Sequence, residues 1–226
     1  MTSFDTNAVN LSKSMNMSYE EGHKLDEKLL KAGNSTNDLV ANWPNLVKAQ
    51  QSLNEESGIY HERSVATLTT MTQLTERLGL SNKEAAKFEK YANASGKDFG
   101  QLVSQTKLIA VNMGKANGLN FNAAKLMKEI ANVSATISSN LGNDPKKIAA
   151  AVVQAKLLGT TLANVAAAGS KMVDFESSIA KELEAELLIG REINLERARS
   201  LALTGSMAEL AQELQEEVGT EAEWLE

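Results

Sequence analysis

The stretch that decides the fold runs from residue 144 to residue 173 and reads DPKKIAAAVVQAKLLGTTLANVAAAGSKMV. Asp144 can cap a helix, and Pro145 suits the first helical position, where its missing N–H costs no hydrogen bond. Apolar and small residues then recur at alternating steps of four and three, the spacing of a heptad seam. The predicted seam consists of Ile148, Val152, Ala155, Gly159, Leu162, Ala166, Gly169 and Val173. Because small side chains let two backbones come close, we expect these residues to form an oligomer or partner interface.

A second apolar stripe follows directly, with Phe175, Ile179, Leu183 and Leu187 at four-residue spacing before Gly190. The densest charge cluster of the chain overlaps it. Two interpretations remain open for this cluster: a solvated face with ion pairs between successive helical turns, or a surface on which a partner docks. Its members are Glu182, Glu184, Glu186, Arg191, Glu192, Glu196, Arg197 and Arg199.

Helix signals extend through most of the chain. Capping boxes, in which a serine and the glutamate three residues later satisfy free amides of the first turn, predict helix starts at Ser18, Ser81 and Ser206. No sustained alternation of period two and no hairpin pair between strand patterns competes with helix. Glycines at positions 33, 58, 79, 96, 118, 142, 190, 205 and 219 interrupt the helical pattern. We therefore predict an all-α fold, an extended array of short helices with helical-hairpin or coiled-coil packing.

The pattern also suggests an order of segments. Residues 1–17 are polar and rich in Asn and Ser, so we expect a flexible N-terminal segment. N-terminal helices are predicted over 18–78, central helix-turn-helix segments over 79–142, and a C-terminal helical segment over 143–226 that continues in a longer protein. Within the second segment, a short helix is expected to end at Pro44, and a longer one to run from Ile59 to Leu78.

Composition restricts the class of protein. Aromatic residues make up only 4% of the 226 residues, so large rings supply little core area. With a net charge of −6 and scattered lysines, the chain is a poor generic binder of nucleic acid, which requires a basic face; a local basic patch in the folded array stays open. No run approaches the roughly 18 to 20 apolar residues of a membrane span. We expect no membrane partner in the resting state and no strong nucleic-acid signal.

Catalytic patterns are absent from the sequence. His23 and His61 stand on separate predicted helices, whereas a zinc site needs more ligands at defined spacing. There is no cysteine and no Gly-x-Ser-x-Gly motif. The glycines around Lys115 lack the phosphate-loop spacing, and the carboxylates of a calcium loop are missing around Asp144. We therefore predict no enzyme activity, no catalytic residue, no metal or cofactor, and no small-molecule substrate.

The region from about Ala131 to Gly219 resembles tail tape-measure and related tail-internal proteins of tailed bacteriophages. The resemblance rests on the order of several short segments, which are Ala131-Asn-Val-Ser-Ala135, Ala151-Val-Val-Gln-Ala-Lys-Leu-Leu-Gly159, Phe175-Glu-Ser-Ser-Ile179, Glu184-Ala-Glu-Leu-Leu-Ile-Gly-Arg191, Asn194-Leu-Glu-Arg-Ala-Arg199 and Leu203-Thr-Gly-Ser-Met207. Residues 79–86 fit the same pattern loosely.

The resemblance implies a structural component of the virion. Such a protein lies inside the tail tube or at the baseplate, sets tail length during assembly, and assists DNA ejection. It would be a homo-oligomer, of three or six copies, with tube, baseplate or tip proteins as partners, and it would assemble in the host cytoplasm. The alternative is a soluble helical adaptor or regulator that binds a partner protein, for which we expect a compact bundle.

Overall fold

The computed structural model describes residues 3–118 and 120–219, and every regular element in that part of the chain is a helix. The all-α prediction is confirmed. The chain divides into two compact units, Met1–Ser104 and Gln105–Glu226. This division differs from the predicted segment boundaries after residues 78 and 142. Gly79 and Gly142 adopt left-handed φ values, and the helices that follow them pack onto helices of the same unit.

The first unit contains five complete helices and the start of a sixth. They are α1 (Ser3–Met15), α2 (Tyr19–Ser35), α3 (Trp43–Ser57), α4 (Val65–Thr72), which continues into a π-helical turn (Gln73–Arg77), α5 (Asn82–Ser95) and α6 (Phe99–Ala116). Helix α3 packs against α2, α4 and α5, and α1 packs mainly against α2. The division into units falls within α6.

The N-terminal segment is helical, so the prediction of a flexible stretch over residues 1–17 was wrong for the residues described. Ala8 and Leu11 are fully buried, and Met15 is 6% exposed. Their spacing of three and four places them on one face of α1, with Asn and Ser side chains around the rest. Gly22 of α2 makes the approach possible, since a Cβ there would lie 2.6 Å from the carbonyl oxygen of Ala8. Because residues 1–17 are polar overall, their composition did not reveal this narrow apolar face.

Two of the three predicted capping boxes are present. Ser18 and Ser81 each accept a hydrogen bond from the amide three residues later, and the glutamate at that position accepts one from the serine amide. The third prediction was wrong. Ser206 makes no side-chain capping bond, because its backbone, with ψ at 67°, departs from the extended conformation of the other two caps.

The loop over residues 58–64 replaces the first part of a predicted helix. Pro44 lies in the first turn of α3 instead of ending a helix, as its tolerated position at a helix start allows. After the left-handed Gly58, the chain stays non-helical until Val65. Arg63 anchors this loop: its Nε donates to Glu89 Oε1 at 2.6 Å, and both side chains are at most 5% exposed. Its backbone amide donates to Gln50 Oε1 at 2.9 Å.

The second unit is built from the rest of α6 and seven shorter helices. They are α7 (Ala123–Asn132), α8 (Ala135–Asn140), α9 (Pro145–Leu157), α10 (Leu162–Met172), α11 (Phe175–Ile189), α12 (Glu196–Thr204) and α13 (Met207–Val218). Helix α9 is central and packs against α7, α10 and α13, while α10 also contacts α12 and α13. Among the described residues no single helix is long and apolar enough to cross a membrane, and α9 with α10 meets the length and composition criteria only as a pair bent by 87°.

Candidate protein-binding surface

The predicted seam does not lie on one continuous helix. Helix α9 ends at Leu157, Gly159 adopts the left-handed φ of +70°, and α10 begins at Leu162. The axes of the two helices then differ by 87°. A heptad seam requires one uninterrupted helix to keep its residues on one face. The turn around Gly159 therefore divides the eight residues between two surfaces.

Most of the seam residues pack inside the second unit. Ile148, Val152 and Ala155 are at most 3% exposed, on a helix that packs against α13 and α7. Leu162 and Gly169 are also buried, and a Cβ at Gly169 would lie 2.8 Å from Leu210 Cδ2.

The other three seam residues do not form a shared face. Gly159 and Val173 are exposed, and Ala166 is half-buried. The prediction of a single oligomer interface along these eight residues is therefore corrected: five of them belong to the chain's own core.

Helix α11 presents its large apolar side chains to solvent. The α11 row, defined as Phe175, Ile179, Leu183 and Leu187, is 45%, 45%, 57% and 85% exposed in that order. Residues four apart lie on neighbouring turns of one helix face, so the four side chains form a continuous ridge. Leu188 beside it is 82% exposed. Soluble proteins seldom leave such contiguous apolar surface open without a binding role.

The helical row that lies one residue before the α11 row is polar and is directed toward the unit. Glu182 and Arg199 form an ion pair in which the side chains are 11% and 9% exposed. The other carboxylate oxygen of Glu182 accepts a hydrogen bond from the Leu195 amide at 2.8 Å. Glu186 accepts one from the Ile193 amide at 2.9 Å. Hydrogen bonds and an ion pair thus attach α11, where most helices of the unit use apolar packing.

A cleft of about 220 Å³ lies beside α11, so the helix does not pack closely against its neighbours there. Helix α10 contributes Ala168 and Met172 to its lining, Ala185 projects from α11, and Ile193 and Leu195 come from the loop that follows. A helix attached mainly at its polar face, with an open cleft beside it, leaves its apolar ridge free for a second contact.

The predicted charge cluster separates into two groups. Glu182, Glu186 and Arg199 are turned inward and make the contacts described above. Glu184 is exposed, as is Glu176, and both lie on the helical row next to the α11 row. The inward group pairs across the fold, so it is not the solvated face with ion pairs between successive helical turns. The outward group forms an acidic edge along the apolar ridge, and the docking of a partner there stays a prediction.

The two histidines lie in the first unit. The ring centroids of Tyr19 and His23 are 6.1 Å apart, and the His61 ring contacts the guanidinium of Arg63. Across residues 3–118 and 120–219, no group of three or more His, Asp or Glu side chains is arranged to hold a metal ion.

Sequence reasoning found the α11 stripe but did not identify it as the exposed surface. The signal available in the sequence was the neighbouring row of the same helix, Ser178, Glu182 and Glu186, which is polar throughout. Comparisons with protein-family models, with curated proteins and with solved structures found no match to this chain.

Proposed function

We propose that this chain is a non-enzymatic helical protein that works by binding another protein through the α11 row. The observation that carries the proposal is the arrangement of α11, in which Glu182 makes an internal ion pair while Leu183 and Leu187 face solvent. Covering a fully exposed leucine stabilises a complex by roughly 1.5–3 kcal/mol. A helix laid along the row would recover that free energy at several positions.

A narrower proposal is that the partner belongs to a bacteriophage tail. The resemblance of residues 131–219 to tail tape-measure and tail-internal proteins supports it, and α11 lies within that region. In this role the chain would be a structural component of the virion, inside the tail tube or at the baseplate, setting tail length and assisting assembly and DNA ejection. The implied homo-oligomer of three or six copies, with coiled-coil packing, is part of this proposal.

A helical adaptor or regulator is the second candidate, and the division into two compact units favours it. Small-angle scattering combined with mass determination on the isolated chain separates the two candidates. The tail proposal expects an elongated oligomer. A compact monomer, near the radius of gyration of a single domain of this length, would refute the tail role and support the adaptor.

Site-specific crosslinking tests whether α11 is the binding element. A photo-reactive amino acid replaces Leu187 in one variant and Leu39 in the control, because these leucines are 85% and 89% exposed and lie in different units. In cells that produce the chain naturally, we expect a discrete adduct from position 187 and none from position 39. Equal labelling at both positions would contradict the proposal.

A further inference from the structure

We infer that the α11 row receives a single amphipathic helix of another protein, one whose own apolar ridge is flanked by lysine or arginine. This inference rests on the proposed function and specifies the chemistry of the partner. It depends on three properties of α11: the geometry of the ridge, the charges beside it, and the consequence of placing a second copy on it.

The geometry fits one helix. The row uses steps of four residues, and ridges with this spacing interlock with the same ridge of another helix at a crossing angle of about −50°. From Phe175 to Leu187 the row spans roughly 18 Å at 1.5 Å per residue. A partner helix of four to five turns covers that length.

The negative charges beside the ridge favour a partner with basic side chains. Glu176 and Glu184 are exposed on the row adjacent to the ridge, and neither forms an ion pair within the described residues. Lys181 lies on the other side of the helix, at the cleft. A helix docked on the ridge brings its flanking side chains against these two carboxylates. Lysine or arginine there gains attraction, whereas an acidic or anionic surface is repelled.

A second copy of α11 is a poorer occupant on the same grounds. Two antiparallel copies would face each other with their acidic rows along the same contact. The segment Phe175–Ile189 contains four glutamates and one lysine, so each copy would meet carboxylates where it lacks bases. Like charges placed opposite one another at an interface oppose association.

The test uses the full chain and two fluorescein-labelled helical peptides about 18 residues long, or five turns. Both peptides carry leucine at every fourth position. One carries lysine on the flanks of that ridge and the other carries glutamate. Fluorescence anisotropy at low salt measures binding. We expect the lysine peptide to bind at least about tenfold more tightly, and to weaken as salt screens the exposed charges.

Matched variants assign the binding to α11. Leu183→Gln with Leu187→Gln removes the ridge without changing charge and should weaken the lysine peptide by about tenfold or more. The control Leu39→Gln changes an equally exposed leucine of the other unit and should bind as the unaltered chain does. Glu176→Lys with Glu184→Lys should reverse the preference toward the glutamate peptide. Circular dichroism checks that each variant keeps its helix content.

Each alternative outcome has a stated consequence. If both peptides bind equally, or if the charge reversal leaves the preference unchanged, the basic partner is refuted while binding through α11 stands. If neither peptide binds and the chain self-associates through Leu183 and Leu187, the occupant is a second copy and the inference fails. If neither peptide binds, the chain stays monomeric and the position-187 crosslink is absent, the proposed function fails as well.

Discussion

The ion pair between Arg63 and Glu89 determines how the first unit holds its long loop. Arg63 Nε lies 2.6 Å from Glu89 Oε1, and the two side chains are 4% and 5% exposed. A second guanidinium nitrogen, Nη2, donates to Ser57 Oγ at 3.1 Å. Glu89→Ala therefore removes the only carboxylate that pairs with this guanidinium among the described residues. The charge that remains cannot reach water without displacing the loop.

The burial of this ion pair determines how much unfolding free energy Glu89→Ala should remove. Removing one partner of a buried ion pair leaves an uncompensated charge and destabilises by about 3–5 kcal/mol. Glu89→Gln keeps an oxygen acceptor for Arg63 Nε and should cost less. Replacing Arg63 and Glu89 together with methionine should also cost less than Glu89→Ala alone, because no unpaired charge is left. The pattern is strongly non-additive, as expected for residues in contact.

Urea unfolding followed by the fluorescence of Trp43 measures these free energies. Trp224→Phe leaves Trp43 as the only tryptophan, so the signal reports the first unit. The control is Glu76→Ala, which removes a more exposed pair with Lys48 at 3.3 Å and should cost below about 1 kcal/mol. If Glu89→Ala costs no more than Glu76→Ala, the pair is not buried in solution and the argument fails.

Three further predictions concern helix packing, capping and pH. Gly22→Ala should destabilise by about 1–3 kcal/mol in urea unfolding, because the new Cβ meets the backbone of α1 2.6 Å away; Gly169→Ala should cost less, since its nearest neighbour is a movable leucine methyl, and the reverse order would refute this packing. Ser81→Ala should cost about 1 kcal/mol by thermal unfolding, whereas Ser206→Ala should be nearly neutral because that cap is not formed; equal losses would contradict it. Burial raises the pKa of Asp26, against the lowering effects of the Trp43 hydrogen bond and of nearby His23. The contribution of Asp26 to the stability of the first unit should therefore be fully present below its unfolded pKa of about 3.9 and be lost as pH rises through its folded pKa. Asp26→Asn should flatten that slope in urea midpoints, and an unchanged slope would count against it.

Local signals in the sequence predicted the helices because the interactions that begin and end a helix involve only atoms a few residues apart. The serine caps at Ser18 and Ser81 and the left-handed glycines at 58 and 96 satisfy backbone groups within a few residues. Such interactions are encoded in adjacent positions, so they can be recognised from sequence. The failure at Ser206 has the same basis: a cap also requires an extended backbone, and the preceding turn after α12 does not provide one there.

Contacts between residues that are far apart in the sequence could not be predicted in the same way. The loop anchored by Arg63 depends on Glu89, which lies 26 residues away. The helix at the N-terminus depends on a glycine in α2 that lets the backbones meet. Neither pairing leaves a periodic trace, because each involves a single residue from each side. The sequence therefore predicted helix existence far better than it predicted which helices touch.

The two apolar patterns of the second unit show why periodicity alone does not locate an interface. The predicted seam and the α11 row both repeat at helical spacing, yet the seam is largely buried and the row is exposed. On α9 the flanking residues Ala149 and Ala151 are apolar and also fully buried, so more than one face of the helix enters the core. On α11 the neighbouring row carries carboxylates that accept hydrogen bonds from an arginine and from backbone amides within the unit. The polar face is then the one that the chain itself satisfies, and the apolar face remains for a partner. The proposed binding surface is the face that the chain does not satisfy internally. Recognising that face requires knowing where Arg199 and the amides of the 193–195 loop lie in space.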